Sequence, residues 1–556
     1  MPRESPAGLG DESDEQTAAT DESRRPEPPG WIGQWADRRA RLSPERVGLV
    51  DASTDREFTY ADLNARANRT ARLLRESGVE SGDRIAVLSR NRPELIDLFF
   101  ACGKTGGVLA PLSHRLAPPE LAVMLSDVAP KLVVVEEPFE RLAEDVLAHE
   151  DCAVEPTVLT LGADSEQSSA GDVNDTAIDT TPTLGDSDRG SYHESLPADD
   201  SAVETADLAL SDPHLLLHTG GSTGVPKETV ITHESIYWNS FNTITAWGLR
   251  PDDTTPMVFP LFHTGGWNVI TVPLFHLGGT VVIAREFDPS EVLSLIPRHD
   301  ASLLIAVPAV LRAMAESDDW TDTDLSSLRF AKSGGGPCRQ SVLEAWWDRD
   351  VDLSQGYGLT ECGPNNFAMP DGWPREKADS VGVPAMHVDV RIVADDGNIL
   401  PAGEIGELEL RGNHAGDRYW RNDAETAETF GDGWVSTGDL ARIDADGYVH
   451  VEGRKKNMYV SGGENVYPPE VEDAIADHPK VSEVVVIPVP DDRWGQVGKA
   501  VVEGDESLTL EELTDFLDGR LARFKRPRHL AFVAEMPTSG PSKIDRQAVA
   551  ERFGES

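Results

Sequence analysis

Hydrophobic residues follow two patterns that alternate along this chain: the spacing of an amphipathic helix, and short continuous apolar runs. In Thr59–Arg75 (TYADLNARANRTARLLR) they recur every three or four positions, which predicts an amphipathic helix, and Thr59 and Asp62 have the spacing of a capping box at its start. The runs RIAVLS (84–89) and KLVVVEE (131–137) are continuous apolar segments typical of buried strands, and a helical segment, PELIDLFFACGK, lies between them. Strands that alternate with helices predict an α/β fold with largely parallel sheets.

This pattern is interrupted in ways that predict the domain organisation. Residues 1–30 are rich in Pro, Ser, Glu and Asp, so we expect a disordered acidic tail. Residues 163–206 carry many acids and hydroxyls but one arginine, which predicts a solvated insertion without chemistry. We therefore predict a large domain of several α/β layers at 31–456, and a small, mobile α+β domain at 457–556.

The composition is strongly acidic. Asp and Glu number 97 against 50 Lys and Arg, which gives a formal net charge of −47 without any dense basic run. This charge argues against nucleic-acid binding and suits a halophilic protein, because concentrated salt screens the repulsion. The four cysteines form no CxxC pair, so neither structural zinc nor a disulfide framework is expected. With no secretory signal and no apolar run of ~20 residues, we predict a cytoplasmic protein without an integral membrane span.

The segment HTGGSTGVPK (218–227) has the composition of a phosphate-binding loop. Its glycines and hydroxyls follow an apolar strand directly, so backbone N–H groups and side chains can hold phosphate oxygens. A Walker loop is excluded, because that motif needs lysine directly after glycine, whereas Lys227 follows Pro226 and precedes Glu228. The residues predicted to contact the nucleotide here are Thr219, Gly220, Gly221, Ser222, Thr223, Gly224 and Lys227.

This loop resembles the first signature of the acyl-activating, adenylate-forming (AMP-binding) superfamily, and QGYGLTE (355–361) resembles the second. The resemblance implies that Tyr357 offers an aromatic face to adenine, that Thr360 bonds the α-phosphate and that Glu361 is an oxygen ligand for Mg²⁺. The turn SGGGP (333–337) resembles the one that lets backbone approach the adenine and the acyl group. The glycines assigned to the nucleotide in these two motifs are Gly334, Gly335, Gly356 and Gly358.

Three further assignments in the large domain follow from the same resemblance. Asp439, in GWVSTGDL, is implied to accept hydrogen bonds from the ribose hydroxyls, with Arg454 beside it. Lys456 stands at the family's hinge position, and the following Asn457 departs from the usual aspartate. The segment PLFHTGGWN resembles an aromatic/histidine motif, which implies an acyl pocket formed with the SGGGP turn by His263, Gly265, Gly266, Trp267 and Gly335.

The small domain contains two motifs of the same family. SGGENVYPPE (461–470) resembles the loop that turns inward for the second half-reaction, which implies that Gly462 and Gly463 let the thiol arm of coenzyme A pass. Lys525, in a basic strip, is a candidate contact for the nucleotide end of coenzyme A. MPTSGPSKIDR resembles the motif of the catalytic lysine. It implies that Lys543 bridges the carboxylate and the α-phosphate in the transition state, although Ser542 replaces the usual glycine.

Together these motifs imply an AMP-forming acyl-CoA synthetase that uses ATP, Mg²⁺ and coenzyme A. The acid implied by the QGYGLTECGPNN run is a medium- or long-chain fatty acid. An aryl acid such as o-succinylbenzoate is the alternative within this class. Outside this class, the sequence is compatible with an adenylation enzyme that loads a separate carrier protein, or with a non-catalytic protein that binds nucleotide. It is also compatible with a homodimer.

Overall fold

The computed structural model describes residues 30–162, 189–219, 227–461, 464–491, 493–539 and 543–554. Outside these residues lie nearly all of the predicted tail, most of the predicted insertion, five of the seven loop residues assigned to phosphate and the pair Gly462–Gly463. Only the backbone of Lys543 is described, and Ser542 is not.

The α-helices of the described residues are numbered in chain order. They are α1 (Trp35–Leu42), α2 (Tyr60–Glu76), α3 (Pro93–Thr105), α4 (Pro118–Val128), α5 (Glu140–Leu147), α6 (Tyr192–Ser195), α7 (His233–Trp247), α8 (Thr271–Leu277), α9 (Pro289–Arg298), α10 (Pro308–Ala315), α11 (Gln340–Trp347), α12 (Asp423–Thr429), α13 (Pro468–Ala476), α14 (Leu510–Phe516) and α15 (Arg546–Phe553).

The strands are numbered in the same way. They are β1 (Val47–Asp51), β2 (Arg56–Thr59), β3 (Arg84–Leu88), β4 (Val108–Leu112), β5 (Leu132–Glu136), β6 (Thr157–Leu161), β7 (Arg189–Ser191), β8 (Pro213–Thr219), β9 (Lys227–Thr232), β10 (Thr254–Met257), β11 (Thr280–Ile283), β12 (Leu303–Ala306), β13 (Phe330–Ser333), β14 (Leu353–Gln355), β15 (Phe367–Ala368), β16 (Val383–Pro384), β17 (Asp389–Val393), β18 (Gly406–Arg411), β19 (Val435–Ile443), β20 (Val449–Arg454), β21 (Tyr459–Ser461), β22 (Glu464–Val466), β23 (Val481–Asp491), β24 (Gly495–Gly504), β25 (His529–Phe532), β26 (Thr538–Ser539) and β27 (Lys543–Ile544).

A seven-stranded sheet in the order β7-β6-β5-β3-β4-β8-β9 forms the first layer of the large domain. Its strands are parallel except for β9, which returns antiparallel to β8 after the predicted phosphate loop. The continuous apolar runs predicted as strands are β3 and β5, and each is buried over nearly its whole length because helices cover both faces of a parallel sheet. The mixed α/β fold predicted from the alternation of elements is confirmed.

Helix α2 begins as the sequence predicts. The Thr59 hydroxyl accepts from the Asp62 backbone N–H, and the Asp62 carboxylate accepts from the Thr59 N–H, so both partners of the capping box are in place. Helix α3 is buried along all of its residues, and its acidic Asp97 is held by two hydrogen bonds from Arg66, of 2.9 and 2.6 Å. A buried carboxylate requires such a partner, because desolvation of an unpaired charge is costly.

Two smaller sheets continue the large domain towards the site. Strands β12, β13 and β14 are parallel, so their carboxyl ends lie at one edge, where the turn after Ser333 and the segment after Gln355 emerge side by side. Strands β17 to β20 form an antiparallel sheet that pairs Asp439 of β19 with Arg454 of β20. The topology therefore brings three separate motifs to one region.

The prediction of a solvated insertion is wrong for residues 189–195, which form β7 and α6 against the large domain. Strand β7 extends the edge of the seven-stranded sheet, and the Tyr192 side chain is fully buried, with its hydroxyl 2.9 Å from the Thr70 hydroxyl. His193 also lies 3.0 Å from the Glu94 carboxylate of α3. Strand pairing, these two polar contacts and the burial of Tyr192 in the main apolar cluster therefore order this segment despite its acidic neighbours.

The small domain has its own sheet and its own core. Strands β22, β21, β24 and β23 form the sheet, and β25 pairs parallel with β24. Buried residues such as Tyr459, Val484 and Leu513 form its main apolar cluster. The exposed Lys456 lies in a short 3₁₀ turn, Lys455–Asn457, between β20 of the large domain and β21 of the small one. Among the described residues, no helix has both the length and the apolar character needed to cross a bilayer.

Candidate functional site

Three residues predicted to bind the nucleoside lie in direct contact. The Tyr357 hydroxyl donates to Asp439 Oδ2 at 2.5 Å, and Arg454 Nε lies 2.7 Å from Asp439 Oδ1. Burial and the neighbouring Asp439 raise the pKa of Tyr357 well above its ordinary value, so the hydroxyl stays a donor. Asp439 is itself 5% exposed, and its backbone N–H donates to the Thr437 hydroxyl. The carboxylate is thus held rigidly between an aromatic ring and a guanidinium.

A second group connects the predicted metal ligand with the end of the phosphate loop. The Tyr419 hydroxyl donates to Glu361 Oε1 at 2.8 Å, while Lys227 forms an ion pair with Glu425 and lies 5.2 Å above the Tyr419 ring. Burial and the charge of Glu361 raise the pKa of Tyr419. The chain Lys227–Tyr419–Glu361 therefore places a cation over the face of one aromatic ring and a carboxylate at the hydroxyl of the same ring.

The Glu361 carboxylate fits the requirement of Mg²⁺ for a hard oxygen ligand. One of its oxygens is oriented by Tyr419, and its backbone carbonyl accepts from Gly416 N–H at 2.9 Å, so the side chain is positioned from two directions. Mg²⁺ is commonly held by one or two carboxylates together with substrate phosphates. Glu361 could thus hold a magnesium ion that the phosphates of ATP also bind.

The glycine-rich turn after β13 has two kinds of glycine. A Cβ added at Gly334 or Gly336 would meet no atom within 4 Å, so the backbone there borders open space. Gly335 has a φ of +85°, which favours glycine. Gln355 of β14 fixes the end of the turn, because its side-chain oxygen accepts from the Cys338 N–H at 2.9 Å. The turn can therefore approach a ligand with its backbone.

The glycines of the second signature have different surroundings. A Cβ at Gly358 would overlap the backbone of Pro364, so this glycine is required by a close approach of the chain to itself. Gly356 donates its N–H to the Ser333 carbonyl at 2.7 Å and joins the signature to the glycine-rich turn. A direct contact of Gly358 with nucleotide stays a prediction.

The segment predicted to form the acyl pocket is packed closely. A Cβ at Gly265 would lie 2.7 Å from the Phe259 ring, and one at Gly266 would lie 2.5 Å from the Pro260 carbonyl oxygen. Trp267 is fully buried, stacks on Phe99 at 5.1 Å and donates its indole N–H to a backbone carbonyl. These three residues thus have structural roles in the core, and their contact with substrate stays a prediction.

Histidine rings surround Phe262 at the same place. The ring centroids of His263 and His218 lie 4.6 and 6.2 Å from that of Phe262, and the two imidazoles are 5.4 Å apart. His218 is the strand residue directly before Thr219, and burial lowers its pKa to about 4, so it is neutral near pH 7. His263 therefore lies beside the strand that leads into the phosphate loop, and its role as a wall of the acyl pocket stays a prediction.

Glu228, which stands where the pattern of the resembled family usually has glycine, has a buried side chain. It is 3% exposed, it shares one face of β9 with the buried Val230, and burial together with Asp127 raises its pKa to about 8. Its Oε1 accepts no hydrogen bond from the described residues. The side chain is therefore a buried, protonated acid at neutral pH.

The small domain contacts the large one through charged residues. Glu483 of β23 lies 2.5 Å from Arg339 and 3.2 Å from Arg312, and Arg339 also donates to the Ser482 carbonyl. The Asp473 side chain of α13 is exposed to solvent. Desolvation by the protein around it, more than any other cause, raises its pKa to about 6, and the charge of Arg339 opposes this shift. Helix α13, which follows the Gly462–Gly463 loop, therefore lies near the start of α11.

Two further residues of the small domain, Lys525 and Lys543, are assigned to ligands from the sequence. Lys525 is held in an ion pair with Glu470 of α13, with both Nζ–oxygen distances at 2.6 Å, so its charge is partly neutralised. The backbone of Lys543 pairs with Ser539 between β27 and β26. The roles of both lysines stay predictions.

Sequence reasoning missed Tyr419 and Glu425, which complete the site. Both lie in RYWRNDAET, a segment that carries no glycine-rich or metal-binding signal. Tyr419 reaches the site through an isolated bridge with Thr229 of β9, a contact across almost two hundred positions. Arg339 and Glu483 were also missed, because no sequence motif marks them as residues of the site.

Known proteins are similar to this chain over nearly its whole length. The chain is 36% identical over 525 residues to a feruloyl-CoA synthase of an Amycolatopsis species, covering 94% of this chain and 99% of that protein. It is 33% identical over 526 residues to the long-chain-fatty-acid–CoA ligase FadD13 of Mycobacterium tuberculosis, covering 94% and 98%. The crystal structure of ATP-bound MatB from Rhodopseudomonas palustris superposes with a TM-score of 0.82 at 29% identity, covering 94% of this chain and 99% of that one.

Two family models match the two domains in order. The model of the AMP-binding enzyme covers residues 36–420, and the model of the AMP-binding enzyme C-terminal domain covers residues 470–543. The first alone spans more than half of the chain and contains both signatures and Tyr419. The chain belongs to the AMP-binding enzyme family.

Proposed function

We propose that this protein is an AMP-forming acid–CoA ligase. The observation that carries the proposal is the contact of Tyr357, Asp439 and Arg454 beside the Lys227–Tyr419–Glu361 chain. The first group offers a ring and a fixed carboxylate for a nucleoside, and the second offers a cation and a metal-binding carboxylate for its phosphates. Full-length similarity to acid–CoA ligases supports the thiol as second substrate.

In the proposed first step, a carboxylate oxygen of the acid attacks the α-phosphorus of ATP. The bond from the α-phosphorus to the bridging oxygen breaks, and pyrophosphate leaves. Asp439 holds the ribose, and Lys227 and the loop hold the leaving phosphates. Lys543 reduces the repulsion between the two anions that must meet. Mg²⁺ at Glu361 would supply charge neutralisation on the phosphates when bound.

In the proposed second step, the sulfur of coenzyme A attacks the acyl carbon of the adenylate. The bond from the acyl carbon to the phosphate oxygen breaks, AMP leaves, and the thiol proton passes to solvent. Lys456 would permit the small domain to rotate between the two steps, because it is exposed in a short turn that joins the two domains.

Two classes of carboxylic acid, fatty and aromatic, are candidates for the substrate. The sequence predicts a fatty acid, and the similarity to FadD13 supports this class. The similarity to feruloyl-CoA synthase supports an aromatic acid equally over the same length of chain. A panel that contains both classes therefore belongs in the first experiment.

The proposal is tested by pyrophosphate release in molar potassium chloride, with fatty and aromatic acids, with and without coenzyme A. We expect release that depends on the acid and turns over continuously only with coenzyme A. Acid-dependent release that coenzyme A leaves unchanged would indicate a carrier protein as acceptor instead. An absence of acid-dependent release with every acid would contradict the proposal and favour a protein that only binds nucleotide.

The role of Lys543 is tested by separating the two half-reactions. Lys543→Ala should abolish adenylation, because the anion–anion repulsion is no longer offset, yet it should leave thioester formation from supplied acyl-adenylate within about twofold. The measurement is single-turnover kinetics of each half-reaction. Equal loss in both half-reactions would show that the lysine supports the fold instead.

A further inference from the structure

The Lys227 ammonium, which the proposed mechanism uses to hold the leaving phosphates, is already paired with a carboxylate of this chain. Its Nζ forms an ion pair with Glu425 of α12, the one carboxylate within salt-bridge distance of it among the described residues. The side chain of Lys227 is 11% exposed and that of Glu425 is 24% exposed. The pair is therefore partly shielded from water, which strengthens the attraction, while both side chains keep surface that a ligand can reach.

The fold holds Glu425 beside this lysine. Residues 418–420 run antiparallel to β9, with two backbone hydrogen bonds of 3.0 and 2.7 Å between them. Helix α12 follows this segment and lies beside Lys227, the first residue of β9. Within the first turn of α12, the backbone N–H of Glu425 donates to the Asn422 side chain at 3.2 Å. The position of the carboxylate is therefore set by strand pairing and by a helix cap.

Glu425 also lies near the residue predicted to bind magnesium. Lys227 Nζ lies 5.2 Å from the centre of the Tyr419 ring, and the Tyr419 hydroxyl donates to Glu361 at 2.8 Å. Burial raises the pKa of Tyr419, and the charges of Glu361 and Glu425 raise it further. One cation and two carboxylates therefore surround a single aromatic ring, so a polyphosphate that binds Lys227 also meets the negative charge of Glu425.

Glu425 opposes the phosphates whether or not it leaves the lysine. An ammonium has three donors, so it could bond Glu425 and a phosphate oxygen together, but the two anions would then repel each other at short range. We propose that Glu425 competes with the β- and γ-phosphates for Lys227 and recaptures the lysine when pyrophosphate leaves. Glu425 is thus a positioning residue that weakens ATP binding and promotes pyrophosphate release. This inference rests on the proposed ligase activity.

The first test measures binding to Glu425→Gln, a variant that keeps the size and one acceptor oxygen of the side chain but removes its charge. The dissociation constant of ATP should fall about three- to tenfold, because the competitor for Lys227 is weakened. That of AMP should stay unchanged, since AMP has no β- or γ-phosphate. Isothermal titration calorimetry at one fixed salt concentration gives both constants.

Inhibition by pyrophosphate gives the second test, because the proposal concerns its release. The inhibition constant of pyrophosphate in the steady-state ligase reaction should also fall about three- to tenfold in Glu425→Gln. Loss of an ion pair that only supports the fold would instead weaken the binding of ATP, AMP and pyrophosphate together. Unchanged or weaker binding of ATP and pyrophosphate by the variant overturns the inference alone, whereas native enzyme that binds neither ATP nor AMP contradicts the ligase proposal itself.

The matched control is Glu428→Gln, which removes the same charge from an exposed position of the same helix. It should leave the affinities for ATP and pyrophosphate unchanged. Equal tightening in both variants would show a general effect of net charge and overturn the inference. If Glu425→Gln does not fold, Glu425→Asp takes its place, because the shorter side chain loosens the ion pair. It should tighten pyrophosphate binding to a smaller degree, and unchanged or weaker binding contradicts the proposal.

Discussion

At the scale of single residues, Glu228 shows that burial can neutralise an acid that departs from a family motif. The family pattern has glycine at this position beside the phosphate loop, and an acid there would oppose polyphosphate if it pointed inward. The Glu228 carboxyl is instead buried on the face of β9 that also carries Val230. The backbone N–H of Trp420 donates to the backbone carbonyl of Glu228 at 2.7 Å. Burial and protonation therefore leave this position uncharged at neutral pH.

Glu228→Gln should change the pH dependence of stability. The folded protein holds the proton up to a pKa of about 8, whereas the ordinary value is 4.5. The stability due to this proton is fully present below pH 4.5 and is lost as pH rises through 8. The variant should thus gain stability relative to the native protein between pH 5 and pH 8.5, as measured by thermal unfolding at fixed salt. A difference that stays constant, as expected for the exposed control Glu57→Gln, would contradict this assignment.

At the scale of elements, local patterns predicted well what local contacts decide. The capping box of α2 and the apolar runs of β3 and β5 need only neighbours in sequence, and the structure has them as predicted. Residues 189–195 were misjudged, because the burial of Tyr192 against Thr70 depends on a contact across 122 positions. Tyr419 was missed for the same reason, since its partner Glu361 lies 58 positions away.

The contact between the two domains gives a prediction at this scale. Glu483 of β23 contacts both Arg312 and Arg339, and α13 lies near the start of α11. We expect this contact between the domains to favour the second half-reaction. Glu483→Gln should slow thioester formation from supplied acyl-adenylate about two- to fivefold, because a half-exposed pair contributes about 1 kcal/mol or less. Adenylation should be unchanged or faster.

The control for this variant is Asp477→Asn, which removes an exposed ion pair with Arg520 inside the same domain. Stopped-flow measurement of both half-reactions compares the two variants. If Glu483→Gln and Asp477→Asn affect the two half-reactions alike, the contact does not favour one arrangement of the domains.

At the scale of the whole molecule, the net charge of −47 is the dominant feature. Repulsion among so many carboxylates disfavours the compact state at low ionic strength, and molar salt shortens the screening length to about 3 Å. We expect the midpoint of thermal unfolding to rise by roughly 10 °C between 0.1 and 2 M potassium chloride, which corresponds to several kcal/mol. Sucrose at equal osmolality should give a smaller rise. A flat or falling midpoint would contradict a halophilic protein.

The proposed function requires that ATP is cleaved at the α-phosphorus, which releases pyrophosphate. The most direct measurement is the product balance of one reaction that contains ATP, coenzyme A and an accepted acid, by chromatography with mass detection. We predict that AMP, pyrophosphate and acyl-CoA form in equal amounts. Formation of ADP and phosphate, or of acyl-CoA without AMP, would contradict the assignment of this site to acid activation through an adenylate.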